Sequence, residues 1–375
     1  MALSYMDIQQ LKKIARQFAI AEGEITHVIP VDGGRINTTF KITVTQKNDT
    51  VSYMLQRINT KVFSDINAVM SNALLVTEHL RRKDIQTLEF VPACSGGYVY
   101  EDYRMTKFIH AEIFQTITRP RDMYNLGYAV GVFAKGLSDF DVNRIVDTIP
   151  NFHNTKVRYN DLLMSAINYC YRNRDKGTIE RVGYSYEEIC TANKYHDLYG
   201  VIVDAIDHGD IPMRVTHNDT KLNNVLFDRK TNTPRCLIDL DTVMKGSVLY
   251  DIADAIRSGA NISTEDERNV FKSLIDLELV REFLKGFKDG APNLLTKKEI
   301  ELIPIAIQIL PLELGIRYLT DYLNGDVYFH IVNSEDNHNR AKIQFALAED
   351  IKRKMDDISR IVKEVFDWIL DRSKK

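Results

Sequence analysis

Twelve consecutive residues, Thr216-His217-Asn218-Asp219-Thr220-Lys221-Leu222-Asn223-Asn224-Val225-Leu226-Phe227, hold a histidine, an aspartate and an asparagine in the spacing H-x-D-x-x-x-x-N. A second segment, Cys236-Leu237-Ile238-Asp239-Leu240-Asp241, sets two aspartates at the end of an apolar strand. Phosphoryl transfer asks three things of a protein: an acceptor for the substrate hydroxyl proton, oxygen ligands for Mg²⁺, and positive charge near the moving phosphoryl group. These residue types supply all three. Asp219 suits the proton acceptor, Asn224 and Asp239 suit the metal, and Lys221 suits the offsetting charge. Asp241 either binds a second cation or orients a ligand of the first. His217 reads as a structural residue, since a second base has no task beside Asp219.

Turn-forming Asn, Asp and Lys are common in solvated hairpins, so no single residue here carries the chemistry. The combination with strand-like apolar residues between is far more specific. A rival reading takes Leu237-Ile238-Asp239-Leu240-Asp241-Thr242 as the strand and Asp-x-Asp-x-Thr of an aspartate-nucleophile phosphatase, with Asp239 attacking phosphate. It leaves the H-x-D-x-x-x-x-N run unexplained, and the nucleophile falls late in the chain.

Several elements must position these residues. Ile8, Leu11, Ile14, Ala15 and Phe18 recur at helical spacing, with Lys12, Lys13 and Arg16 between them where a signal peptide needs an unbroken apolar stretch. Phe40, Ile42 and Val44 then alternate with polar residues, and Gln46–Thr50 separates that strand from Val51–Gln56 in a hairpin. Helical spacing returns over Asp65–Lys83, followed by a turn at Ser95-Gly96-Gly97 and short strands at 98–100 and 103–105. Beyond Phe108 the pattern is mostly helical except for the block Val215–Val243. The expectation is an α+β fold of two lobes, residues 1–108 strand-rich and 109–375 mainly helical, with a ligand cleft between them. A final helix from about Glu349 to Asp371 presents Ile351, Met355, Ile358, Val362, Val365 and Ile369, a stripe expected to dock on its own lobe rather than to form a dimer seam.

With 375 residues, 44% hydrophobic and 27% charged, the chain has the composition of a soluble globular protein. Its net charge of -3 offers no footprint for nucleic acid, and nothing here calls for a membrane partner. Four scattered cysteines without a C-x-x-C pair exclude a zinc ribbon or a dense disulfide framework and point to the reducing cytoplasm.

The catalytic block resembles that of the aminoglycoside phosphotransferase and choline kinase-like small-molecule kinases, relatives of protein kinases. Gly33-Gly34-Arg35-Ile36-Asn37-Thr38-Thr39-Phe40, Leu55-Gln56-Arg57-Ile58-Asn59, the 217–224 run and Gly315–Leu323 are together similar to N-acetylhexosamine 1-kinases. The resemblance implies ATP and Mg²⁺ as co-substrate and cofactor, and the anomeric hydroxyl of N-acetylglucosamine or N-acetylgalactosamine as acceptor. Kinases for other small alcohols, of the aminoglycoside, choline or homoserine type, are the alternative, and a nucleotide-binding pseudokinase is a further one. A monomer or weak homodimer is expected.

On this resemblance, Gly33, Gly34, Thr38, Met54, Gln56, Thr106 and Phe108 contact ATP, the backbone of Thr106–Ile109 meeting adenine. Gln56 or Arg57 stands where a kinase carries its strand lysine, and Glu78 would pair with Arg57 if that side chain turned inward. Arg35, Asn37, Asp219, Arg317 and Tyr328 would shape the acceptor pocket. Glu313, Arg317 and Asp321 fall on one helical face, either as an exposed ion-pair ladder or as part of that pocket. The turn after them is placed to return an aromatic beside Arg317.

Overall fold

A computed structural model of the chain describes residues 5–31, 36–47, 49–114, 116–117, 119–172, 181–264 and 266–366. The chain divides into two compact units, Met1–Ala111 and Glu112–Lys375. A β-bridge between Glu112 and Phe227 ties residue 112 into the second unit.

In the first unit α1 (Tyr5–Ala15) precedes β1 (Glu24–Val31), β2 (Thr38–Gln46) and β3 (Asp49–Arg57), then α2 (Ile66–Arg81), β4 (Val99–Tyr100) and β5 (Tyr103–Lys107). The strands form one antiparallel sheet in the order β1-β2-β3-β5-β4. Period-two alternation sends Phe40, Ile42, Val44, Tyr53, Leu55 and Met105 to one face, where they close a core with Leu11, Ile14 and Phe18. The other face carries Lys41, Met54, Gln56, Arg104 and Thr106 in register. Sequence periodicity does not reveal β1. It is an edge strand with only Ile25 buried, so it has no alternation to read.

The second unit contains α3 (Pro120–Gly136), α4 (Thr155–Arg172), α5 (Tyr186–Lys194), α6 (Val201–Asp207), α7 (Val248–Gly259), α8 (Leu277–Gly290), α9 (Lys297–Leu323), α10 (Asp336–Arg353) and α11 (Met355–Val365). Between α6 and α7 lie two antiparallel ribbons, β6 (Arg214–Thr216) with β9 (Met244–Gly246), and β7 (Val225–Phe227) with β8 (Pro234–Leu237). α9 is long and apolar enough to cross a membrane, yet 83% of its most apolar window is buried, packed on α4, α7 and α10. The single terminal helix expected over 349–371 is instead two, α10 and α11, hinged at Lys354, whose ammonium bonds the Ile275 carbonyl and Asp350. Ile351, Ile358, Val362 and Val365 are buried, with α11 on α8, while Ile369 lies outside the described residues.

α3 and α8 interlock through glycines. A Cβ at Gly127 would meet the Phe283 carbonyl oxygen at 2.1 Å, and one at Gly286 the Tyr124 carbonyl oxygen at 2.0 Å. Backbone is the obstacle in both cases, and it cannot swing aside as a flexible side chain does. Gly286→Ala is therefore expected to destabilise the fold by about 1–3 kcal/mol, read as a lower urea midpoint at unchanged slope. An unchanged midpoint would show that the helices separate at little cost.

Candidate functional site

β6 delivers the chain into the loop at His217 and β9 runs beside it, Thr216 opposite Met244. Gly246 allows that approach, since a Cβ there would sit 2.7 Å from the Thr216 hydroxyl oxygen. The loop then turns at Asn218, whose φ of 63° is left-handed, a conformation asparagine tolerates better than most residues. Its amide holds the turn by donating to the Thr242 carbonyl at 2.9 Å and accepting from the Thr216 hydroxyl at 2.9 Å.

Asp219 follows. Its Oδ2 accepts from Lys221 Nζ at 2.6 Å and from Asn224 Nδ2 at 2.8 Å. Both donors use Oδ2, and no described residue donates to Oδ1. Burial opposes the charge on this carboxylate, but the Lys221 ammonium and the Asn224 amide outweigh it and hold the carboxyl below its ordinary range. Lys221, expected to offset phosphoryl charge, thus pairs with the candidate base.

The second loop is stitched to the first by backbone. Ile238 N–H donates to the Asn224 carbonyl at 2.8 Å, and the Ile238 carbonyl lies 2.9 Å from His217 Nε2. His217 is fully buried with its ring edge-on to Phe133, a structural position as expected. Asp239 directly follows Ile238, in left-handed conformation (φ 63°, ψ 59°). The Asn224 amide is oriented by two donations to Asp219, leaving its Oδ1 as a carbonyl-type oxygen beside the strand that delivers Asp239. A neutral amide oxygen and a nearby carboxylate fit a hard divalent cation such as Mg²⁺. Asp241 is 2% exposed inside the turn after Asp239, a burial that suits either of its two roles. The aspartate-nucleophile alternative does not fit, because Asp239 ends an antiparallel ribbon and the described strand pairs are all antiparallel.

Sequence reasoning missed Asp251 on α7. Its carboxylate accepts the N–H of His217 at 3.0 Å and that of Asn218 at 2.7 Å, one on each oxygen, while its carbonyl accepts the Thr220 hydroxyl at 2.6 Å. Burial pushes this carboxyl up, against His217 and the two N–H groups that stabilise the charged form. The only sequence signal is an acid inside the apolar run Val248-Leu249-Tyr250-Asp251-Ile252-Ala253.

His153 was also missed. Its Nδ1 lies 2.7 Å from Glu313 Oε1 and its Nε2 lies 3.3 Å from the Asn218 carbonyl, with the ring stacked on Tyr250. Glu313 receives the Thr155 hydroxyl on its other oxygen at 2.7 Å. Asp321 accepts the N–H groups of Val327, Tyr328 and Phe329 at 2.8–2.9 Å together with the Asn337 amide. Glu313 and Asp321 are therefore buried anchors, not rungs of an exposed ladder. The pinned turn brings the aromatics back as expected: the Arg317 guanidinium lies 4.6 Å from the Phe152 ring centroid, 5.8 Å from that of Tyr328 and 5.7 Å from that of Phe329.

In the first unit, Gln56 shares the non-core sheet face with Met54, and its Oε1 accepts Arg104 Nε at 2.9 Å and Nη2 at 2.5 Å. Its amide reaches Thr39 at 3.2 Å. The cation beside Gln56 is thus the buried Arg104 of β5, which the sequence did not single out. Arg57 turns away to Asp102 at 2.7 Å, and Glu78 pairs with Arg82, so no Arg57–Glu78 pair forms. Asn37 Oδ1 caps the Asn59 N–H at 2.9 Å, and Thr38 opens β2 opposite Arg57. Thr106 is in the strand opposite Met54, and Phe108 N–H donates to the Ser52 carbonyl at 3.0 Å, so that N–H is committed to the sheet edge rather than open to adenine. The Phe108 ring receives Lys41 Nζ at 4.2 Å. Gly33, Gly34 and Arg35 lie outside the described residues.

The sequence model of the phosphotransferase enzyme family matches residues 27–283. The chain belongs to this family. Among solved structures, this phosphotransferase is similar to a choline kinase from Cryptosporidium parvum at 14% identity and TM-score 0.61, covering 96% of this chain and 99% of the other. It is also similar to an aminoglycoside phosphotransferase from Alicyclobacillus acidocaldarius at 16% identity and TM-score 0.62, covering 94% and 96%. A spectinomycin phosphotransferase solved with ADP and spectinomycin matches at 13% identity and TM-score 0.56, covering 96% and 97%. These likenesses show the fold, an antiparallel-sheet unit followed by a helical unit in the kinase-like order.

Proposed function

We propose that this phosphotransferase is a kinase that moves the γ-phosphoryl group of ATP to a hydroxyl of a neutral sugar, the anomeric hydroxyl of N-acetylglucosamine or N-acetylgalactosamine. The observation that carries the reading is the state of Asp219: a carboxylate kept ionised by donors on Oδ2, with Oδ1 left to accept a hydroxyl proton. Asp219 then takes the acceptor's proton as its oxygen attacks phosphorus, and Lys221 steadies the carboxylate until the proton arrives. Asn224 and Asp239 would hold Mg²⁺, which screens the triphosphate charge when bound. Thr38, Met54, Gln56 and Thr106 are proposed on the nucleotide side, and the resemblance adds Gly33 and Gly34. Arg317 and Tyr328 are proposed to shape the acceptor pocket, for which the resemblance also implies Arg35 and Asn37.

ATP use is supported by the family match and by the fold shared with an ADP-bound phosphotransferase. The sugar is supported by the resemblance of the 33–40, 217–224 and 315–323 segments to N-acetylhexosamine 1-kinases. A test incubates the protein with Mg·ATP and a panel of sugars, choline and aminoglycosides, following ADP release and the phosphorus NMR of the product. ADP release with N-acetylhexosamines and an anomeric phosphate resonance are expected. Release only with choline or aminoglycosides would overturn the sugar reading, and a phosphate on another hydroxyl would overturn the anomeric position.

A further inference from the structure

We infer that Arg158, on the first turn of α4, is a specificity-determining residue that makes the acceptor pocket reject ammonium-bearing substrates in favour of uncharged ones. The inference rests on the sugar-kinase reading and deepens it. Arg158 Nε donates to the Phe152 carbonyl at 3.2 Å, while the ring of the same Phe152 lies under the Arg317 guanidinium at 4.6 Å. Two cations are thus mounted on one residue. The next residue, His153, reaches the Asn218 carbonyl at 3.3 Å, so the pair stands beside the loop that bears Asp219.

The two guanidinium groups bear on each other. Burial and then the neighbouring Arg317 hold the Arg158 guanidinium below its ordinary value, with Glu313, Asp161 and Tyr328 opposing. Among the described residues its ion-pair contact is with Asp161 at a loose 3.7 Å. Around Arg317 the two means by which a protein holds an ammonium group are both spent. Glu313 is taken by His153 and Thr155, and Asp321 by three backbone N–H groups and Asn337. The three rings that would make an aromatic cage, Phe152, Tyr328 and Phe329, already surround Arg317. An incoming ammonium meets two guanidinium groups, and the open carboxylate oxygen there, Asp219 Oδ1, is the one that must receive the reacting hydroxyl, whereas a hydroxyl or amide carbonyl meets N–H donors.

The test compares glucose with glucosamine, which differ in a hydroxyl against an ammonium at one carbon, with N-acetylglucosamine as reference. At about pH 6.5 the amine is protonated. The wild-type kcat/KM ratio of glucose to glucosamine is expected to be at least about tenfold, and to narrow with added salt. Arg158→Gln should lower the ratio by roughly fivefold and remove most of its salt dependence, whereas Arg158→Lys should retain both. Because each ratio is taken within one preparation, loss of folded protein cancels. An unchanged ratio in Arg158→Gln, or a wild-type preference for glucosamine, overturns the inference while leaving the sugar kinase intact. Failure of the wild-type protein to phosphorylate any of the three sugars overturns the kinase reading and this inference with it.

Discussion

Asp219→Asn is expected to lower kcat by roughly 10²–10⁴-fold, the range for loss of a positioned general base, while leaving nucleotide affinity and the urea midpoint near the wild type. The amide keeps the shape and one oxygen for Lys221, but cannot take a proton. Steady-state kinetics with the best acceptor and nucleotide titration followed by fluorescence make the measurement. A variant within threefold of wild type would remove Asp219 from the proton path. The pH profile adds a check whose sign follows from the site. Because Lys221 and Asn224 hold the Asp219 carboxyl below its usual range, the active, ionised form persists as pH falls, and activity is lost only through that depressed value. Removing the charge in Lys221→Ala leaves burial less opposed, so the acid limb of kcat/KM should move to higher pH. A limb that stays in place would separate the lysine from the base.

Asp251→Ala is expected to cost about 3–5 kcal/mol of stability and to abolish turnover. The substitution strands two buried N–H groups, those of His217 and Asn218, each worth about 1–3 kcal/mol when unsatisfied. Asp251→Asn should cost less, because its amide oxygen still satisfies one N–H while its NH₂ opposes the other. Urea denaturation checks both, and equal midpoints for Asn and Ala would place the destabilisation elsewhere than in these two bonds.

What the sequence disclosed was local. The H-x-D-x-x-x-x-N spacing and the apolar strand before Asp239 sit within one short stretch of chain, and the hairpin that makes β2 and β3 announces itself through alternation. The return of Tyr328 and Phe329 toward Arg317 was legible from a turn directly after a helix. The supports were not. Asp251 lies thirty-odd positions from the N–H groups it binds, His153 more than sixty from Asn218, and Arg104 forty-eight from Gln56. Each is an ordinary polar residue until the fold brings its partner near. The sequence left Gln56 and Arg57 open for a related reason: pleating puts the two side chains on opposite faces, and the Asp102 that fixes Arg57 lies forty-five positions away. The break at Lys354 was hidden because the apolar stripe runs through it; it shows in the Lys354 backbone (φ -101°, ψ 12°) and in the capture of its ammonium by Ile275 and Asp350.

The two glutamates of α9 constrain how this protein can change in length. Glu299, at the helix start, binds Arg214 where β6 begins, and Glu313 reaches through His153 to Asn218 where the loop turns. The helix therefore acts as a ruler laid along the segment 214–218, with both marks in use. A residue inserted between the marks would turn one carboxylate by about 100° and move it about 1.5 Å along the axis, so one of the two ties would be lost. Insertions should be tolerated in surface turns such as 228–233, whereas the span 299–313 admits substitution but no change of count.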